Sequence, residues 1–140
     1  MGLLPLHTIV ITSLSLLTAF PPVRGAQNDS MDRLLDAIAM VESRNQPTAT
    51  GDHGRAVGVY QIHRDYWTEG TRILGVDWAY RDARDPEKAR RVVRAYLCRY
   101  GRGRSLLDLA RIHNGGPSGC RKAATLAYAR KIKRILGEEP

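Results

Sequence analysis

A chain of 140 residues has room for one domain, and its 22 Lys and Arg against 14 Asp and Glu give a formal charge of +8 at neutral pH. Two cysteines and four scattered histidines show no zinc-ligand spacing, so no metal and no cofactor is expected. The basic balance favours an anionic partner, and the lack of any internal repeat or low-complexity tract excludes a solenoid.

The chain opens with an apolar stretch, Leu3 to Phe20, in which His7 is the one ionisable side chain. Pro21-Pro22 breaks the run and Val23-Arg24-Gly25 follows, the pattern of a secretory signal cut after Gly25, although no Lys or Arg precedes the apolar core. The alternative is an uncleaved anchor. The run is near the lower limit for a span, and Pro5, Pro21, Pro22 and frequent Ser and Thr oppose it. The expected layout is a signal peptide over residues 1–25 and one secreted domain over residues 26–140, with no stable membrane span after cleavage. Export favours bacterial cell-wall material over nucleic acid as the anionic partner, and no basic-aromatic nucleic-acid module is recognisable. In an exported chain Cys98 and Cys120 are expected to be joined as a disulfide.

Ser30 is placed to cap a helix from Met31 that fades near Arg44, with Met31, Leu34, Leu35 and Ile38 at helical spacing. Residues 45–58, rich in Gly with Pro47, read as an irregular loop or tight hairpin. Val57 to Ile62 is β-branched and aromatic enough for a strand, and Arg64 to Leu74 reads as a helix. Asp85-Pro86 starts another, with Ala89, Val92, Val93, Tyr96, Leu97 and Tyr100 on one face and Gly101 as its stop. Ser105 caps a short helix carrying Leu106, Leu109, Ala110 and Ile112, which Asn114-Gly115-Gly116-Pro117 ends as a turn. Arg121 to Leu136 forms a basic amphipathic helix that buries Ala124, Tyr128, Ile132 and Ile135. The fold class is α+β, mostly helical, with a small β element next to the first helix.

Glu42 stands out. At about 100° per residue, the eleven steps from Met31 and the seven from Leu35 both return to within about 20° of the same direction. Glu42 therefore lies on the apolar stripe, where lost hydration favours the protonated carboxyl and suits it to donate a proton. The competing reading is a helix-end Glu that leans into solvent or pairs with Arg44. Asp52 follows ten residues later, across a loop short enough to fold back over the helix end, and Gly51 and Gly54 let the backbone approach a ligand there. Glycoside hydrolysis ordinarily sets two carboxylates about the scissile bond. Support of the turn alone is the equal alternative for Asp52.

Three segments resemble the invertebrate-type, destabilase-like lysozymes: Ala39-Met40-Val41-Glu42-Ser43; Gly58-Val59-Tyr60-Gln61-Ile62 with Asp65-Tyr66-Trp67; and the run from Ala110 through His113-Asn114-Gly115-Gly116-Pro117 to Cys120. The resemblance spans about residues 34 to 136. It implies a lysozyme-like fold and hydrolysis of the β-1,4 bond between N-acetylmuramic acid and N-acetylglucosamine in peptidoglycan. It puts the general acid and base on Glu42, and the nucleophile or oxocarbenium stabiliser on Asp52. The chain departs from the family in having two cysteines rather than many, of which Cys120 alone is at a familiar position. The segment from Asp52 to Gly58 is also one residue shorter. The Ser associated with isopeptidase activity in some members is replaced by Arg55, so that activity is not expected.

Candidate sugar contacts are Ser43, Tyr60, Gln61, His113, Asn114 and Gly115. Alternation along a strand turns Tyr60 and Gln61 to opposite sides, Gln61 being the one expected in the groove. Tyr66 and Trp67 are either sugar-stacking or core. Ser43 and His113 have helix-end roles as alternatives, and Asn114-Gly115 is otherwise simply a turn. The protein is expected to act as a monomer. Two rival readings remain. A lytic transglycosylase would use Glu42 alone, with Glu42-Ser43 and Gly58-Val59-Tyr60-Gln61 as its partial signature. A non-catalytic cationic antibacterial protein would act through the basic last helix.

Overall fold

The computed structural model describes residues 24–137, so the expected leader lies almost wholly outside the described residues. Helix α1 (Arg24–Ser43) leads to a two-stranded antiparallel hairpin, β1 (Thr50–Gly51) and β2 (Ala56–Val57), in which Thr50 pairs with Val57 and Gly51 with Ala56. Then come α2 (Arg64–Leu74), α3 (Pro86–Tyr100), α4 (Leu106–Gly115) and α5 (Leu126–Leu136). Short 3-10 turns lie at Asp52–Gly54, Tyr80–Arg84, Gly119–Arg121 and Ala123–Thr125. Helix α2 packs on α3, α4 on α5, and α1 crosses α5, α4 and α3. The α+β reading with a small β element beside the first helix holds. No helix among the described residues is long and apolar enough to cross a membrane.

The apolar spacing read from the sequence builds the core. Leu34, Leu35 and Ile38 from α1 are fully buried with Val92, Val93 and Leu97 from α3, Ile112 from α4 and Ile132 from α5. Each such side chain contributes about 1.5–3 kcal/mol relative to exposure. Two caps act as expected: Asp85 Oδ1 accepts from the N–H groups of Glu87 and Lys88 at 3.0 and 3.1 Å, and Ser105 Oγ accepts from Asp108 N at 3.2 Å.

Several expectations need correction. Helix α1 begins at Arg24, so Ser30 lies inside it and is not its first cap. Residues 57–62 form a turn and not a continuous strand: Gln61 N donates to Gly58 O at 3.1 Å, and only Val57 and Ile62 bridge. The cause is the close approach of residue 58 to the Tyr80–Arg84 turn. Gly58 has φ +74°, and a Cβ there would lie 2.2 Å from Ala83 O. Helix α5 starts at Leu126, five residues late, because the preceding chain is drawn onto α4. A Cβ at Gly119 would lie 2.0 Å from Arg111 O, and Thr125 Oγ1 accepts from Arg111 Nε at 3.0 Å. Its buried side runs Tyr128, Ala129, Ile132 and Leu136, while Ile135 is 47% exposed and Ala124 lies exposed ahead of the helix.

The Cys98–Cys120 disulfide is absent, and both thiols are free. Cys98 follows the inward-facing Leu97 on α3, so the helical turn carries it to solvent, whereas Cys120 packs against the core from the turn after α4.

Helices α1 and α3 are also clamped by charge. The Arg90 guanidinium reaches Asp36 Oδ1 at 2.6 Å and Asp32 Oδ1 at 2.7 Å, and Arg94 pairs with Asp32 as well. The hydrogen bond from Arg90, with help from Arg94, holds the Asp32 carboxyl below its ordinary value. Across α2 and α3, Glu69 accepts from Arg72 and Tyr100, which lowers its pKa to about 2.

Gly58→Ala forces a clash and a strained φ together, and should lower stability by roughly 3 kcal/mol in a urea titration. Because the folded pKa values of Asp32 and Glu69 are depressed, their stabilisation is present above the unfolded carboxylate range and is lost as pH falls from about 4.5 towards 2. The urea midpoint should drop across that window, and less steeply in Asp32→Asn.

Candidate active site

Three helices and the hairpin meet at a cleft of about 320 Å³ lined by Glu42, Asp52, Ala56, Gln61, Ile62, His63, Tyr66, His113 and Asn114. Glu42 arrives there by helical phase. Leu34 and Ile38 begin a row with four-residue spacing and are fully buried; Glu42 is its next member and keeps 20% of its side chain exposed. The helix stops just beyond. Arg44 and Asn45 take left-handed φ of 56° and 62°, and their N–H groups go to Met40 O and Ala39 O at 3.1 and 3.2 Å. Ser43 Oγ lies 2.9 Å from Val59 O and accepts from Gln46 N at 3.1 Å. Ser43 thus fastens the helix end to the 58–61 turn and is not among the residues lining the cleft.

Asp52 comes from the hairpin turn, where it and His53 have φ of 50° and 56°. This region costs about 1–2 kcal/mol per residue for L-amino acids, and Asp and His tolerate it better than most. Asp52 Oδ1 accepts from Arg55 Nη2 at 2.8 Å, and Oδ2 lies 3.5 Å from His63 Nε2. Its side chain is 41% exposed. The two carboxyls therefore have opposite surroundings, one among aromatic rings and one exposed beside the Arg55 guanidinium and the His63 ring.

Gln61 is a third strained residue on this rim, with φ 46°. Its Nε2 donates to Gly58 O at 2.9 Å, and a Cβ on Gly51 would lie 2.4 Å from its Oε1, so the glycine makes room for the carboxamide. Tyr60 points the other way. It is 2% exposed, its hydroxyl accepts from Arg90 Nη1 at 3.2 Å, and it does not line the cleft. Asn114 does line the cleft. Gly115 ends α4 against Thr125, and its carbonyl accepts from Lys122 Nζ at 2.6 Å.

Around Glu42 three other helices contribute one ring each. His113 of α4 presents Nε2 3.6 Å from Glu42 Oε1, inside ion-pair range and beyond hydrogen-bond length. Its side chain is only 5% exposed, and Nδ1 lies 3.2 Å from the Tyr66 hydroxyl of α2. Tyr66 stacks on Tyr96 with ring centroids 3.8 Å apart. Burial first, then Tyr96 and the Glu42 charge, push the Tyr66 phenol well above 10, so it stays a neutral donor. A phenol donating to Nδ1 leaves the imidazole proton on Nε2, facing Glu42. Tyr128 of α5 makes no hydrogen bond of ordinary geometry, yet its buried phenol is raised by desolvation and then by the Glu42 carboxylate. The Glu42 carboxylate thus acts on that phenol across the pocket.

The structure thus brings Glu42, Asp52, Gln61, His113 and Asn114 together, and leaves Ser43, Tyr60 and Gly115 outside the cleft. The sequence reading passed over His63, which has no distinguishing spacing, and took Tyr128 for a core residue only. Trp67 is core, with Nε1 donating to Trp78 O at 3.0 Å.

Comparison with known proteins agrees with the motifs. Residues 31–135 match the family described as Destabilase. Lysozyme of Ostrea edulis is 41% identical over 80 residues, covering 54% of this chain and 57% of that protein. Lysozyme 1 of Crassostrea virginica is 41% identical over 107 residues, covering 71% and 56%. Invertebrate-type lysozyme 6 of Caenorhabditis elegans is 35% identical over 115 residues, covering 72% and 83%. The chain thus spans little more than half the length of the first two. The crystal structure of Aeromonas hydrophila PliI in complex with Meretrix lusoria lysozyme holds a chain that matches at TM-score 0.65 and 29% identity, over 75% of this chain and 89% of that one. The helix-end Glu, the strained turn and the His-Asn-Gly-Gly segment all lie within the matched region, and the chain belongs to the destabilase family of invertebrate-type lysozymes.

Proposed function

We propose that the protein is a lysozyme, hydrolysing the β-1,4 bond between N-acetylmuramic acid and N-acetylglucosamine of bacterial peptidoglycan. The observation that carries this reading is the pair of unlike carboxyls, Glu42 and Asp52, on one cleft. A carboxyl packed among Tyr66, His113 and Tyr128 is poised to give a proton to the leaving glycosidic oxygen. An exposed carboxylate on the other rim is suited to the positive sugar that develops, as nucleophile or electrostatic stabiliser. After departure of the first sugar, Glu42 takes a proton from the attacking water. Gln61 and Asn114 supply the amide groups that would hold N-acetyl and hydroxyl groups of the glycan. The names of the relatives support the same activity. On this reading the enzyme is secreted through its amino-terminal leader and works as a monomer.

One observation favours a one-carboxylate transglycosylase: Arg55 already occupies Asp52 Oδ1. Product chemistry separates the two. Purified peptidoglycan digested by the wild type should yield ordinary reducing ends by mass spectrometry, and 1,6-anhydro ends would establish the transglycosylase instead. Glu42→Gln should lower turnover by about 10²–10⁴-fold, the usual worth of a general acid. Asp52→Asn should be similarly impaired if both carboxyls act.

Tyr66 is a positioning residue in this scheme, acting through His113. Tyr66→Phe removes one hydrogen bond worth about 1 kcal/mol, so kcat should fall roughly fivefold with KM unchanged. A change confined to KM would assign Tyr66 to sugar binding.

A further inference from the structure

A second groove leaves the cleft at His63, which lines both. It passes Arg55, Arg64 and Asp65, and continues through Arg64 and Tyr80 into a hollow of about 470 Å³ that also carries Arg81 and Arg84. The hollow holds three arginines and no carboxylate among its lining residues. None of the three is ion-paired among the described residues. The nearby acid Asp82 is taken by Lys88 at 3.2 Å, and Arg84 makes one long hydrogen bond, 3.3 Å to Thr48 O. Arg64 is held in place over the Tyr80 ring, 4.5 Å from its centroid. The Tyr80 hydroxyl is itself fixed, 2.7 Å from Arg55 O and 2.8 Å from Ile62 O. Arg64 and Tyr80 are therefore held in place, and the three arginines of the hollow carry charge that no ion pair among the described residues offsets.

We infer that this groove is a binding site for the peptide attached to the glycan, with Arg64, Arg81 and Arg84 pairing with its carboxylates. The inference rests on the lysozyme reading and specifies its substrate: strands that carry peptides rather than bare glycan. Guanidinium forks pair with carboxylates in bidentate fashion. Asp65, at the cleft-side end of the groove, gives an acidic partner for a peptide amine. That mixture of signs fits a peptide with both charges. It suits a phosphodiester polymer less well, because such a chain gives Asp65 no partner. The continuity of groove and cleft fits a peptide that branches from a sugar seated beside Asp52.

The test compares the wild type with an Arg64→Gln/Arg81→Gln/Arg84→Gln variant on two substrates: intact peptidoglycan and glycan strands stripped of peptide by an amidase. The variant should lose about tenfold in kcat/KM on the peptide-bearing strands, a difference of about 1.4 kcal/mol, and nothing on the stripped strands. An equal loss on both, or no loss on either, overturns the inference. Arg81→Glu, an exposed single change, should give the same selective loss should the triple variant fold poorly. Calorimetric titration with a soluble Ala–γ-Glu–diaminopimelate tripeptide keeps the two readings apart. Binding abolished by Arg81→Glu supports the groove even if no glycan is cut, and absence of binding overturns it even if glycan cleavage is normal. Tighter binding of a purified teichoic acid than of the tripeptide would also overturn it.

Discussion

The 3.6 Å approach of His113 Nε2 to Glu42 Oε1 organises the molecule. It requires α1 to end with an acid in an apolar row, and α4 to present a buried imidazole opposite. It also requires α2 to hold that imidazole by its far nitrogen through Tyr66. Helix α5 closes the back of the pocket with Tyr128. A lone ionised carboxyl in such surroundings would be costly. Here the His113 ring faces the carboxyl, the Tyr66 phenol holds that ring and the Tyr128 phenol lies within reach of the same charge, and no arginine is paired with Glu42 among the described residues.

Strain is concentrated where the cleft needs shape. Of the non-glycine residues with left-handed φ, Arg44 and Asn45 turn the chain out of α1, and Asp52, His53 and Gln61 frame the opposite rim. The core around Leu34, Ile38, Val92 and Leu97 supplies the stability that keeps these residues in place. The hairpin has only two residues per strand, so its geometry depends on this backing and on the ties from Ser43 to Val59 and from Tyr80 to Ile62.

Much of this was legible in the sequence. Helical phase alone placed Glu42 on the buried side of α1, and Asp85-Pro86 and Ser105 marked the starts of α3 and α4 through caps that form as expected. Local signals failed where a distant part of the chain decides the outcome. The β-branched look of residues 57–62 gave no hint that the Ala83 carbonyl would press on Gly58 and bend the run into a turn. Gln61 reaches the cleft and Tyr60 the core, the split that strand alternation suggested, but the backbone that achieves it is a tight turn. The delayed start of α5 has the same origin, in the seating of Gly119 on α4. The partnership of Tyr66 with His113 bridges 47 positions and leaves no periodic trace.

The two unjoined thiols carry a broader consequence. Among the described residues the core closes by packing and arginine clamps, with no sulfur crosslink between α3 and the turn after α4. The seating of α1 against α3, and with it the placement of Glu42, therefore rests on side-chain packing and on the Arg90 and Arg94 ion pairs.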